Sequence, residues 1–122
     1  MTSSSEWNAI ADACEAAEGP DRKIDARMAA ALGTPATSFF TGSLDVIVQV
    51  MVWGFPGHAI RADLASFEND GRCLARLYKP ARNGSFDEVA RGFSTTPALA
   101  LCAAFCRAMA VKAENEANEA AE

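Results

Sequence analysis

The chain has 122 residues, of which 50% are hydrophobic and 22% charged, and its formal net charge is −5 at pH 7. This size suits one domain with its own core, and the acidic balance argues against a general nucleic-acid binder, which carries a basic face. The first residues lack the basic and apolar segments of a signal peptide, and no apolar run approaches the roughly 20 residues that span a membrane. We therefore expect a cytoplasmic protein whose four cysteines stay reduced.

One α+β domain is expected over residues 6–113, with flexible tails at 1–5 and 114–122. The first helix is expected within residues 6–19, before a Gly-Pro break. Its apolar residues recur at helical spacing and are Trp7, Ile10, Cys14 and Ala17.

A second helix is expected over residues 21–33, where Gly33 is a common type of helix end. Its apolar stripe consists of Ile24, Met28 and Leu32. Asp21 and Asp25 share a face of this helix, where we expect solvated carboxylates paired with nearby arginines, Arg22 or Arg27.

The segment that follows is expected to be a loop or a short strand around Phe39. Residues 43–52 are ambiguous, because their β-branched side chains favour a strand. The apolar residues nevertheless recur at helical spacing after Ser43, a good N-terminal cap, and a helix is the prediction.

The clearest β pattern is an antiparallel hairpin over residues 58–79, in which two alternating runs flank Asp70-Gly71. A two-residue turn there pairs Ala65 with Arg76, Asp63 with Tyr78 and Phe67 with Leu74. One face is then apolar and comprises Ile60, Ala62, Leu64, Cys73, Ala75 and Leu77. The other is mixed basic and aromatic and comprises Arg61, Asp63, Phe67, Arg72, Leu74, Arg76 and Tyr78.

Residues 86–93 are expected to form a short strand or a helical turn, and a closing helix follows. Thr95 or Thr96 caps this helix, and Pro97 suits its first turn. The helix is apolar nearly all round as far as Ala110, which is typical of a helix that is central in the fold or shared with a second subunit.

The sequence pattern indicates no catalytic, metal or cofactor site. Cys102 and Cys106 lie four residues apart, but a zinc site needs about four Cys or His ligands, and Cys14 and Cys73 stand isolated in other elements. We expect these thiols to be core packing. His58 is the only histidine and has no catalytic partner nearby in the sequence, which also lacks phosphate-binding glycine loops and nucleophile elbows.

The mixed face of the hairpin is the candidate binding site. Arg61, Arg72 and Arg76 project to the same side as Tyr78. Guanidinium groups bind phosphate in a bidentate manner and an aromatic ring can stack on a base, so this face suits a nucleotide or another anionic ligand. The alternative is an exposed sheet face whose arginines pair with Asp63 and with acidic residues elsewhere.

A family resemblance rests on three segments: ACEAAEGPDRKIDARMAAALG, FFTGSLDVIVQV and TPALALCAAFCRAMA. They are similar to the phage ABA-sandwich domain of tailed phages and prophages of Gram-negative bacteria, whose closing helix carries an ATPALALCxAAL-like motif. The resemblance implies a phage origin and an αβα sandwich-like fold, with a small antiparallel sheet packed with about four helices. It supports a helix over residues 43–52 and brings no catalytic residues with it.

These features together predict a non-enzymatic phage accessory protein that acts by binding in the cytoplasm of the bacterial host. The leading hypothesis is a homo-oligomeric sponge that counters host defence by sequestering a nucleotide immune signal, through Arg61, Arg72, Arg76 and Tyr78. The alternative is an adaptor or inhibitor that docks on a host or phage protein through the closing helix and a tryptophan, Trp7 or Trp53. Neither hypothesis involves a membrane, nucleic acid, a metal or a cofactor.

Overall fold

The fold was obtained as a computed structural model, which describes residues 2–35, 37–66 and 70–121. Within these residues three helices are followed by three strands and a closing helix. In chain order they are α1 Ser4–Ala16, α2 Arg22–Leu32, α3 Leu44–Gly54, β1 Ala59–Ser66, β2 Arg72–Pro80, β3 Phe86–Ser94 and α4 Pro97–Ala121. The strands form one antiparallel sheet in the order β1-β2-β3. This arrangement confirms the α+β class with a small antiparallel sheet and four helices.

Side-chain caps explain where the helices begin. Ser3, Asp21, Ser43 and Thr96 each accept hydrogen bonds from main-chain N–H groups two or three residues later, which satisfies donors that a helix start leaves unpaired. The helical prediction after Ser43 is therefore confirmed. Gly33 ends α2 in the left-handed conformation, with φ 72°, which a glycine adopts without steric cost.

The first and last helices of the chain extend beyond the domain boundaries expected at residues 6 and 113. α1 begins at Ser4, and α4 continues to Ala121 through the acidic segment 114–121. The flexibility expected of both ends stays a prediction.

The closing helix α4 lies at the centre of the fold. Its contacts reach all three strands as well as α1 and α3, and residues 98–106 are all buried. Of the two arrangements that its apolar sequence allows, the central position within one chain is the one observed. At the crossing with β3, a Cβ atom on Gly92 would lie 2.5 Å from the main-chain nitrogen of Ala104, so the approach requires glycine.

The register of the predicted hairpin is wrong. Arg76 lies opposite Arg61 rather than Ala65, and Tyr78 lies opposite Ala59 rather than Asp63. The physical reason is a register shift between Asp63 and Ser66, together with a connection longer than two residues, because Ser66 pairs with Arg72. The predicted partner of Leu74, Phe67, lies outside the described residues, and Leu74 itself faces Asp63.

The assignment of side chains to the two faces survives this shift, because the register moves by an even number of residues. Cys73, Ala75 and Leu77 are buried in the core beneath α4. Leu74 departs from its partly buried neighbours on the other face, since it is buried but stands outside that core cluster. We call this second side of the sheet the outer face. Its described residues are Ala59, Arg61, Asp63, Arg72, Leu74, Arg76, Tyr78, Pro80, Phe86, Glu88, Arg91 and Phe93.

Candidate functional site

Three arginines lie in a line across the outer face. Arg61 of β1 is directly opposite Arg76 of β2, and Arg76 is directly opposite Arg91 of β3. Neighbouring strands lie about 4.8 Å apart, so this arginine row extends roughly 10 Å. Like charges that face each other across strands destabilise a sheet. The alignment therefore needs compensation from nearby anions or from a ligand.

Glu88 compensates one end of the row. Its carboxylate accepts hydrogen bonds from Nε and Nη2 of Arg91, at 3.0 and 2.9 Å, and lies 3.5 Å from Nε of Arg76. Glu88 faces outward because β3 contains a bulge, in which the register passes from the Leu77–Ala90 pair directly to the Tyr78–Glu88 pair.

Asp63 compensates the other end of the row. It accepts a hydrogen bond of 3.2 Å from Nε of Arg61, its neighbour two residues away on the same strand. Two carboxylates thus stand beside three guanidinium groups, and the row keeps an excess of positive charge in a chain whose formal net charge is −5.

Arg76 is the central and least exposed member of the row. Its side chain is 30% exposed, compared with 63% for Arg61 and 51% for Arg91. Nη1 donates a hydrogen bond of 3.4 Å to the hydroxyl of Tyr78, whereas the buried Nε is within ion-pair distance of Glu88 but makes no hydrogen bond to the described residues. The bond to Tyr78 and the nearby carboxylates raise the pKa of Arg76 above its ordinary value, so the central charge is permanent.

Arg72 does not belong to the row. Its guanidinium donates hydrogen bonds to the main-chain carbonyls of Glu15 and Phe93, which ties the end of α1 to β3. The structure therefore brings Arg61, Arg76 and Tyr78 together, as the sequence predicted, and assigns Arg72 to a structural contact.

Arg91 and Glu88 are the members of the site that the sequence did not reveal. The sequence of residues 86–93 is compatible with a strand or a helical turn. Without a third strand in the sheet, no residue could be assigned to the side of Arg76 that faces away from β1. Alternation along this segment, combined with the hairpin register, is the signal that identifies Arg91.

Tyr78 adds an aromatic ring next to the row. It lies between Ala59 on β1 and Glu88 on β3. Along β2 it is two residues from Arg76, at the next position on the same face. Ala59 has no side chain beyond Cβ, and the ring of Tyr78 is half-buried. The outer face thus offers guanidinium donors for an anion and, beside them, a ring for a flat group.

Three of the four cysteines lie close together in the core. Cys14 interacts with Cys102 and Cys106, so the expectation that Cys14 is isolated is wrong, because α1 packs directly on α4. This interaction lowers the pKa of Cys14, whereas burial raises the pKa of Cys102 and Cys106. The thiol of Cys102 donates a hydrogen bond of 3.2 Å to the main-chain carbonyl of Phe40. All four cysteines are free and buried, as expected of core thiols. Within the described ranges no group of three or more Cys, His, Asp or Glu side chains could hold a metal ion.

The two tryptophans differ sharply in exposure. Trp7 is 2% exposed and contacts Phe105 edge to face, with ring centroids 6.0 Å apart, whereas Trp53 is 79% exposed. Trp53 borders a cleft of about 560 Å³ between α3 and the preceding loop, whose apolar lining includes Phe40 and Val50. Trp53 is therefore accessible for docking, whereas Trp7 and the first turns of α4 are core.

Comparison of the chain with protein-family models, with curated proteins and with solved structures found no match in any of the three. In the part of the chain that the structure describes, no helix combines the length and apolarity required to cross a membrane. The arginine row and the Trp53 cleft are thus the features from which a function can be argued.

Proposed function

We propose that the protein is a non-enzymatic phage accessory protein that sequesters a nucleotide signal of the host's defence, in the cytoplasm of the bacterial host. The observation that carries this proposal is the alignment of Arg61, Arg76 and Arg91 across all three strands. An anion placed between neighbouring guanidinium groups relieves their mutual repulsion and gains charge-assisted hydrogen bonds.

A nucleotide suits this surface better than a simple anion. Tyr78 lies beside the central arginine, and the small Ala59 is its neighbour on β1. Stacking of a base on an aromatic ring contributes about 1–3 kcal/mol, which adds to the attraction of the guanidinium groups.

Binding rather than conversion follows from the chemistry of the row. Guanidinium groups stay protonated at neutral pH and hold phosphate oxygens, but they do not act as bases or nucleophiles there. A protein that binds a signal without altering it lowers the free concentration of that signal, which is how a sponge counters a defence.

The proposal is tested by isothermal titration calorimetry with a panel of cyclic and ADP-ribose-type nucleotides. We expect at least one of them to bind, and we expect Arg76→Ala to abolish its binding. Arg82→Ala is the matched control, because it removes the same charge from the turn between β2 and β3, away from the row. No binding across the panel, or binding that Arg76→Ala leaves unchanged, contradicts the proposal.

A second candidate function, an adaptor that docks on a host or phage protein, is favoured by the exposure of Trp53. Val52 beside it is 55% exposed, and α3 carries a single charged residue, Asp45. Large exposed aromatic residues are typical of protein interfaces. A pull-down from host lysate with the wild type and Trp53→Ala is the test. A stoichiometric protein lost in the variant supports the adaptor, whereas light scattering shows whether a second copy of the chain occupies the surface instead.

A further inference from the structure

The spacing of the arginine row defines two intervals for anionic groups. One lies between Arg61 and Arg76, and the other lies between Arg76 and Arg91. The centres of the two intervals are about 4.8 Å apart, one strand spacing, with Arg76 shared between them. The two phosphates of a diphosphate lie closer together than one strand spacing, so they straddle Arg76 and direct their outer oxygens towards Arg61 and Arg91. A single phosphate uses only one interval.

The two intervals differ in what already occupies them. Glu88 fills the second, because its two carboxylate oxygens accept from Arg91 and it lies 3.5 Å from Nε of Arg76. A carboxylate bound in this way presents two oxygens to a guanidinium, as a phosphate does. Asp63 accepts a hydrogen bond from Arg61, but it lies level with Leu74 and Phe93, to one side of the row. The described residues therefore place no carboxylate between Arg61 and Arg76.

We infer that the arginine row recognises a nucleotide with two phosphates, such as a nucleoside diphosphate, one phosphate lying between Arg61 and Arg76 and the other replacing Glu88 between Arg76 and Arg91. This inference rests on the proposed function, since it concerns the same surface. The base lies over Ala59 against Tyr78, because Tyr78 supplies the aromatic ring beside the central arginine.

Glu88 acts in this arrangement as an internal anion that the second phosphate must displace. Displacement breaks the three contacts that Glu88 makes with Arg76 and Arg91. The same two guanidinium groups then bind a phosphate, which carries up to two negative charges instead of one. A single phosphate enters the open interval without that exchange. The prediction is that removing the charge of Glu88 strengthens the binding of diphosphates far more than that of monophosphates.

The experiment is calorimetric titration with inorganic phosphate, inorganic pyrophosphate, AMP and ADP. For the wild type we expect each diphosphate to bind on the order of tenfold tighter than its monophosphate, as one added charge-assisted contact gives. Glu88→Gln should tighten pyrophosphate and ADP binding by about another tenfold. Arg91→Ala should remove the advantage of the diphosphates over the monophosphates, and Arg82→Ala should change none of the four.

The outcomes separate this inference from the proposed function. If AMP and ADP bind equally and Arg91→Ala affects neither, the two-phosphate inference is overturned while nucleotide binding stands. If none of the four compounds binds but a cyclic nucleotide does, the inference also fails alone. If no nucleotide of any kind binds, both fail. Weaker pyrophosphate binding by a Glu88→Gln protein that melts at the wild-type temperature overturns the displacement of Glu88, and Arg91→Ala tests the second interval independently.

Discussion

Asp25 holds Thr41 through two hydrogen bonds: Oδ1 accepts from the main-chain N–H of Thr41 at 2.8 Å and from its hydroxyl at 2.9 Å. Both residues are 1% exposed, and Oδ2 of Asp25 accepts a third bond from Arg22. The Thr41 hydroxyl accepts in turn from the N–H of Asp21, so the start of α2 and the loop before α3 form one network. The expectation that Asp25 is solvated is wrong, because the loop folds over it.

Replacing Asp25 is expected to destabilise the fold. Asp25→Ala leaves a buried N–H and a buried hydroxyl without their acceptor, which costs about 3 kcal/mol of unfolding free energy. Asp25→Asn keeps one acceptor oxygen and should lose less. Urea denaturation followed by circular dichroism measures both, with exposed Asp45→Asn as a control near zero. A loss below about 0.5 kcal/mol for Asp25→Ala contradicts the role assigned to the network.

Gly92→Ala is expected to be severely destabilising. The added Cβ would lie 2.5 to 2.7 Å from the main-chain nitrogen of Ala104, Cβ of Ala103 and the carbonyl of Ala100, so α4 must move away from β3. We expect a loss of about 3 kcal/mol or more, or no folded protein. Gly19→Ala is the matched control, since its Cβ meets nothing within 4 Å, and it should change the unfolding free energy by less than about 0.5 kcal/mol. Similar melting temperatures for the two variants would disprove the close crossing.

The thiols are expected to be inert in the folded protein. All four cysteines are buried, and a disulfide reagent must reach the sulfur to react. Ellman's reagent should therefore modify less than one thiol per chain in buffer and four in concentrated urea. An Arg82→Cys variant supplies an exposed thiol as the positive control. Rapid modification of several thiols in the folded wild type is the result that contradicts this packing.

Arg72 and Arg61 are expected to respond oppositely to replacement. Arg72→Ala removes two hydrogen bonds to main-chain carbonyls and should cost about 1.5 to 3 kcal/mol of stability, while leaving nucleotide binding intact. Arg61→Ala removes an exposed ion pair and should change stability by less than about 1 kcal/mol, while weakening nucleotide binding. Denaturation and calorimetry on the same two proteins give both readouts. The reverse pattern would show that Arg72, not Arg61, serves the ligand.

The exposure of Trp53 can be checked by fluorescence quenching. A Trp7→Phe variant retains only Trp53, whose emission should be strongly quenched by acrylamide, whereas Trp53→Phe retains the buried Trp7 and should be protected. Protection of Trp53 in a protein of dimeric mass would show that a second copy covers this surface.

The parts of the fold that depend on neighbouring residues could be predicted from the sequence. The cap at Ser43, the end at Gly33 and the buried thiols of α4 follow from local chemistry, and all agree with the structure. The hairpin register could not be predicted, because a bulge and a longer connection shift it without altering the pattern of apolar residues.

Contacts between residues that are distant in the sequence could not be predicted either. Asp25 looks like an exposed helical carboxylate until a loop 16 residues later covers it, and Cys14 meets the closing helix only through tertiary packing. Arg61, Arg76 and Tyr78 were found because they share one hairpin, whereas Arg91 required knowledge of which strand lies beside β2.

The central position of α4 has a consequence for how this protein can evolve. From Ala98 to Cys106 every side chain is enclosed, and at Gly92 even a methyl group has no room. Mutations that accumulate without loss of the fold must therefore fall mainly elsewhere, and the outer face of the sheet is one region that tolerates them. Selection could then retune what the arginine row recognises in single steps, while the helix behind it stays almost unchanged.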